Sequence, residues 1–180
     1  VAMLGVEDAV SAAAGRIRPD ELAEACGAGT FLVSLLLANN EIGTIQPAAE
    51  AAGLAHACGA VLHIDAAQAV GKIPVDVDAL GADLLSLSAH KFHGPKGVGA
   101  LFVRRRQRVA RLSPRVFGGG QERGLRSGTL DVPGIVGLGA AAEIAAASLE
   151  AEAAGMRQLR DRLWEGPTSR TSDVPFNGPA

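Results

Sequence analysis

The sequence predicts an α/β fold: a mostly parallel sheet with helices on both faces. Short apolar runs alternate with helical segments at the spacing of strand–helix–strand units. One run, Phe31–Leu37, is nearly continuous in apolar residues, as expected of a strand buried on both faces. Several runs also end abruptly in polar residues, the pattern of a sheet that meets a ligand beyond its carboxyl edge.

Pro19 to Cys26 reads as a short helix, with proline in its first turn and Gly27 closing it. After Phe31–Leu37 comes a polar loop from Asn39 to Gly43, then an alanine-rich helix from Pro47 to Cys58 that ends at Gly59. A second strand, Ala60 to Ile64, ends in Asp65. A turn-rich stretch through Gly71 and Pro74 follows, with a short helix expected near Asp76 to Leu80. The strand Asp83 to Leu87 runs into Ser88, Ala89, His90 and Lys91, and Ala100 to Val103 is a further strand. Gly118, Gly119 and Gly120 open a glycine-rich loop that ends near Thr129. Pro133 then starts a long helical stretch to about Trp164, with a break expected near Gly155.

Composition narrows the function classes. There are 17 basic and 19 acidic residues, a net charge of −2, so nothing overall favours nucleic acid or an anionic membrane. The local exception is Arg104, Arg105, Arg106, Arg108, Arg111 and Arg115, read as a solvated strand end and the connection after it. A docking patch for an acidic partner is the alternative. Cys26 and Cys58 form no metal-binding or disulfide pattern, and each falls at the end of a predicted helix as a small apolar residue. His90 and His93 lack a completing cysteine or carboxylate, so no metal is expected. No run of about 18 apolar residues and no signal peptide is read, which leaves a cytoplasmic location as the expectation. The chain starts at Val1 and stops at Ala180 without a finishing element, and is expected to be a central part of a longer protein.

Three strand ends bring Asn39, Asn40 and Glu41, then Asp65 and Gln68, then Ser88, His90 and Lys91 to one edge. A lone lysine is most simply solvent-facing, and a lone aspartate after a strand is most simply a cap. Together they suggest more. Leu84 to Ser88 is apolar enough to be buried, so Lys91 emerges from the core. A lysine for covalent attachment and a carboxylate to keep a ring nitrogen protonated are what a pyridoxal phosphate site needs. Ser88 and nearby loop amides suit a phosphate.

Four motifs carry a resemblance. They are Asn39-Asn40-Glu41-Ile42-Gly43-Thr44, the run from His63 to Lys72, the run from Ser86 to Gly97, and the run from Gly118 to Thr129. In this order and spacing they resemble cysteine desulfurases of the class V aminotransferase branch of fold-type I pyridoxal enzymes. The resemblance implies that Lys91 is the Schiff-base lysine and moves protons, and that Asp65 pairs with the pyridine nitrogen. It implies that Gln68 bonds the ring's phenolic oxygen, Asn40 faces cofactor and substrate carboxylate, and Ser88 and His90 contact the phosphate. Thr129 would reach the phosphate of the other subunit's cofactor, which implies a homodimer. The implied reaction takes L-cysteine to L-alanine and leaves a persulfide for a sulfur-acceptor or iron–sulfur scaffold protein. A selenocysteine lyase or another class V enzyme is the alternative, or a non-catalytic homologue acting as a sulfur-transfer scaffold.

The resemblance also implies division into residues 1–146, part of the large cofactor domain, and 147–180, a linking helix and the start of a small domain. The nucleophilic cysteine and the arginine that grips the substrate are expected after Ala180, so the segment alone is expected to be inactive.

Overall fold

Pro19 occupies the first turn of α1 (Pro19–Ala25), where a missing N–H costs nothing, and Asp20 and Glu21 suit the positive helix end. The chain then enters a four-stranded sheet. Residues 15–105 and 112–171 are described by this computed structural model. Its strands are β1 (Leu32–Leu36), β2 (Val61–Asp65), β3 (Leu84–Ser88) and β4 (Gly99–Val103), in the spatial order β1-β2-β3-β4. The first three are parallel and β4 returns antiparallel to β3. The sheet is mixed and mostly parallel, as the alternating pattern predicts.

Leu35, Ile64 and Leu85 stand in register across three strands and bury on one face. On them lies α2 (Ala48–Ala57), whose Ala48, Ala51, Ala52 and Ala55 repeat at helical spacing and are all buried. Alanine lets the helix axis lie close to the sheet. Fully burying Leu62 and Ile64, both 0% exposed, stabilises the fold by roughly 1.5–3 kcal/mol each. The amino edge of this layer is clamped by Asp83. Its Oδ2 accepts from Leu62 N–H at 3.0 Å and meets His56 Nε2 at 2.8 Å, tying the end of α2 to β2 and β3.

Several expectations are corrected. The Phe31–Leu37 run is buried only toward its end, β1 being an edge strand among the described residues. Phe31 is 78% exposed, whereas Leu37 is 1% exposed. Asp76 to Leu80 forms a turn and not a helix. Asp76 Oδ1 accepts from Asp78 N–H (2.7 Å) and Ala79 N–H (3.1 Å), and Gly81, at φ +65°, ends the turn. Arg104 is not a solvated strand end. It donates to Ala82 O, Val77 O and Asp78 Oδ1, and its guanidinium lies 5.4 Å from the Phe102 ring. Arg106, Arg108 and Arg111 lie outside the described residues.

The long helix α3 (Val132–Thr168) runs through Gly155 without the expected break. Asp131 caps it, accepting from Gly134 N–H at 3.1 Å. It also overturns the reading that no long apolar run exists. An 18-residue window of α3 has a mean hydropathy of 1.6, long and apolar enough by length and composition to cross a membrane. Its apolar character comes largely from small residues, alanine and glycine, interrupted by Glu143.

Candidate active site

Because β1, β2 and β3 are parallel, their carboxyl ends share one edge of the sheet. That edge receives the loop after β1, the turn after β2 and the 3₁₀ turn Ala89–Phe92 after β3. The loop after β1 is closed by the bridge Ala38↔Ile45 and by Asn39 N–H donating to Thr44 O at 2.9 Å. Asn39 Oδ1 accepts from Glu41 N–H and Ile42 N–H, which leaves Asn40 exposed at the tip.

Asp65 ends β2 half-buried. Its carbonyl accepts from Leu37 N–H and the next amide, Ala66 N–H, donates to Ser86 O, both at 2.9 Å. The aspartate backbone is thus held by both neighbouring strands. Its Oδ1 accepts from Ala67 N–H at 2.9 Å, so the cap-like role open to this residue is real. Oδ2 has no hydrogen-bond partner among the described residues, and one carboxylate oxygen remains for a ligand.

Gln68 follows within the turn, and its Oε1 accepts from Lys72 Nζ at 2.6 Å. An ammonium group is only a donor, so this contact fixes the amide with Nε2 free to donate elsewhere. Lys72 is a residue that sequence reasoning missed. Burial, and after it the charge of Lys91, lower its pKa, which places the two lysines in one electrostatic neighbourhood. The signal available was Lys72 itself, four residues after Gln68 in a turn.

Lys91 sits in the 3₁₀ turn, exposed, between buried Ala89 and Phe92. The turn closes through Gly94 N–H donating to Ala89 O at 2.9 Å and through His93 in the left-handed region at φ 68°. Ser88 Oγ and His90 Nδ1 meet at 2.9 Å, so this predicted phosphate-contacting pair does come together. Behind the turn, a small cavity of about 80 Å³ is lined by Gly71, Phe92, His93, Ile144, Ser148 and Glu152 among others.

Thr129 belongs to a different segment from these strand ends. It ends the second glycine-rich loop, and its carbonyl accepts from Arg126 Nη1 at 3.4 Å. The loop is braced internally by Gln121 Oε1 accepting from Gly128 N–H and Ser127 Oγ accepting from Gly120 N–H. Cys26 and Cys58 cap the ends of α1 and α2 in contact with each other, and their burial and mutual contact raise the Cys26 pKa. Each helix end leads into the start of a strand, so both thiols lie at the sheet edge opposite Asp65.

Tested against pyridoxal phosphate, the donor set fits. A carboxylate with one open oxygen, an amide with its donors open, a lysine and a hydroxyl–imidazole pair occupy one strand edge. Together they match a protonated ring nitrogen, a phenolic oxygen, an aldehyde and a phosphate.

The family described as Aminotransferase class-V matches residues 4–170. The chain belongs to this family of pyridoxal phosphate-dependent enzymes. Among curated relatives, a cysteine desulfurase IscS of Anaeromyxobacter dehalogenans (strain 2CP-C) is 51% identical over 164 residues, 91% of this chain and 40% of the relative. A solved NifS-like protein superposes with a TM-score of 0.81 at 44% identity, covering 89% of this chain and 43% of its own. The structure described as SspA in complex with cysteine superposes with a TM-score of 0.67 at 44% identity, covering 74% of this chain and 38% of its own. The chain thus spans about 40% of the length of the curated relatives it matches.

Proposed function

We propose that the protein is a pyridoxal phosphate-dependent cysteine desulfurase, converting L-cysteine to L-alanine and passing sulfur to a thiol as a persulfide. The observation that carries this reading is the gathering of Asp65, Gln68 and Lys91 at the carboxyl edge of parallel strands, each with an atom open to a ligand. The cysteine desulfurases at about half identity, and the neighbour solved with cysteine, support the substrate.

On this reading Lys91 would attach the cofactor through Nζ and would move a proton at the substrate carbon. Asp65 would pair with the ring nitrogen, and Gln68 would donate to the phenolic oxygen. Ser88 and His90 would hold the phosphate, Asn40 would face the substrate carboxylate, and Thr129 would serve the cofactor of a second subunit. When bound, pyridoxal phosphate supplies an electron sink for the substrate carbon. The net reaction is balanced: cysteine and an acceptor thiol give alanine and the acceptor persulfide. Cys26 and Cys58, at the opposite sheet edge, are not assigned as that acceptor.

The test is covalent. Reconstitution of the intact protein with pyridoxal phosphate, borohydride reduction and peptide mapping should label Lys91. Label on Lys72 or any other lysine rejects the assignment. Alanine release from L-cysteine then tests the substrate.

A further inference from the structure

The sheet face that carries Asp65 has an unexpected middle. At the centres of β1, β2 and β3 stand Ser34, His63 and Ser86, where an α/β sheet ordinarily places Val or Ile. They form one continuous chain. Ser34 Oγ lies 2.8 Å from His63 Nδ1, and His63 Nε2 lies 3.1 Å from Ser86 Oγ. Val61 and Leu84, buried to 5% and 7% exposure, lie on the same face toward the amino ends of their strands. Asp65 is the next residue on this face toward the carboxyl edge.

Both ring nitrogens therefore meet hydroxyls, which donate or accept as required. The ring is held in one plane across three strands in either tautomer. Two consequences follow for Asp65. A two-residue slip between parallel strands keeps every side chain on its face but moves the strand end by about 6.6 Å. In the observed register Ser34 is the direct partner of His63, while Ser86 is paired with Asp65 and is reached from His63 diagonally, so the ring ties the Ser34–His63 pairing to the Asp65–Ser86 pairing. In addition, Ser86 bonds His63 through its side chain and Ala66 N–H through its carbonyl, so it joins the ring to the peptide that follows Asp65.

We propose that His63 is a positioning residue for Asp65, locking β1, β2 and β3 in the register that presents the carboxylate to the cofactor ring. This rests on the assignment of Asp65 to the ring nitrogen. The two His63 ring nitrogens are engaged by Ser34 and Ser86, so its role is exercised through the strands.

The experiment uses the intact protein reconstituted with pyridoxal phosphate, comparing wild type, His63→Leu and His63→Gln. Three quantities are read: the dissociation constant for pyridoxal phosphate, the induced circular dichroism of the bound cofactor, and the urea midpoint. His63→Leu should bind about tenfold more weakly, reflecting two lost hydrogen bonds, and with an altered dichroic band. His63→Gln, which can bond both hydroxyls, should return both readouts toward wild type. A lower urea midpoint in His63→Leu with unchanged affinity and unchanged dichroism makes the relay merely structural and overturns the proposal. If His63→Leu does not fold, Ser34→Ala and Ser86→Ala carry the same readouts and decide the question in the same way. Wild type that binds no pyridoxal phosphate rejects the Asp65 assignment itself, a result separate from indifference of the variants.

Discussion

At the residue scale, the site depends on which atom of each side chain is already engaged. Asp65 gives Oδ1 to the Ala67 amide and Gln68 gives Oε1 to Lys72, so each keeps the atom that the cofactor needs. Asp65 and Gln68 were legible as residues, through their motif, but these commitments were not. A hydrogen bond to a backbone amide two residues on leaves no periodic trace in sequence. Lys72 is the sharpest case. Its pKa is lowered first by burial and then by Lys91, so its charged form opposes folding. The unfolded chain binds that proton more tightly, and between the lowered value and the ordinary 10.4 or so stability rises with pH. Lys72→Met should remove this rise. Urea midpoints of wild type and variant between pH 8 and pH 11 test it; parallel pH profiles would show that Lys72 contributes none of it.

At the element scale, strand positions were legible to within a residue or two. Apolar runs bounded by glycine and polar residues mark them, as for Val61–Asp65 between Gly59 and Gln68. What failed were competitions. Asp76 takes its own backbone amides and makes a turn where helical spacing suggested a helix. Gly155 lowers local helix propensity, yet α3 passes through it. The seating of α3 was invisible for a different reason, since it depends on contacts distant in sequence. A Cβ on Gly137 would lie 2.5 Å from Pro95 Cγ, and one on Gly94 would lie 3.2 Å from Ala141 Cβ. These glycines let α3 approach the segment just beyond Lys91. Gly139, one residue past Leu138 on the same helix, has nothing near it. Gly137→Ala should therefore destabilise by about 1–3 kcal/mol through overpacking against a rigid ring. Gly139→Ala should stabilise by roughly 0.5–1 kcal/mol through helix propensity alone. Opposite shifts in the urea midpoint confirm the contact, and equal shifts of either sign refute it.

At the scale of the whole molecule, the described residues leave much apolar surface in water. Phe117 is 81% exposed, Phe31 78%, Leu163 75%, Ile144 68% and Leu159 68%. Single exposed apolar residues are ordinary, but Met156, Leu159 and Leu163 form a row on one face of α3 at i, i+3, i+7 spacing and are all exposed. Polar partners do not offset this row, because α3 packs chiefly against the 3₁₀ turn that holds Lys91. The 180-residue chain expressed by itself should accordingly bind an apolar dye such as anilinonaphthalene sulfonate and self-associate as concentration rises. Leu159→Glu with Leu163→Glu, both far along α3 from the turn, should raise the monomer fraction and reduce dye binding. Sedimentation velocity across a concentration series measures the first and dye fluorescence the second. A monomer that binds no dye at any concentration would show that the α3 row does not act as a cohesive surface.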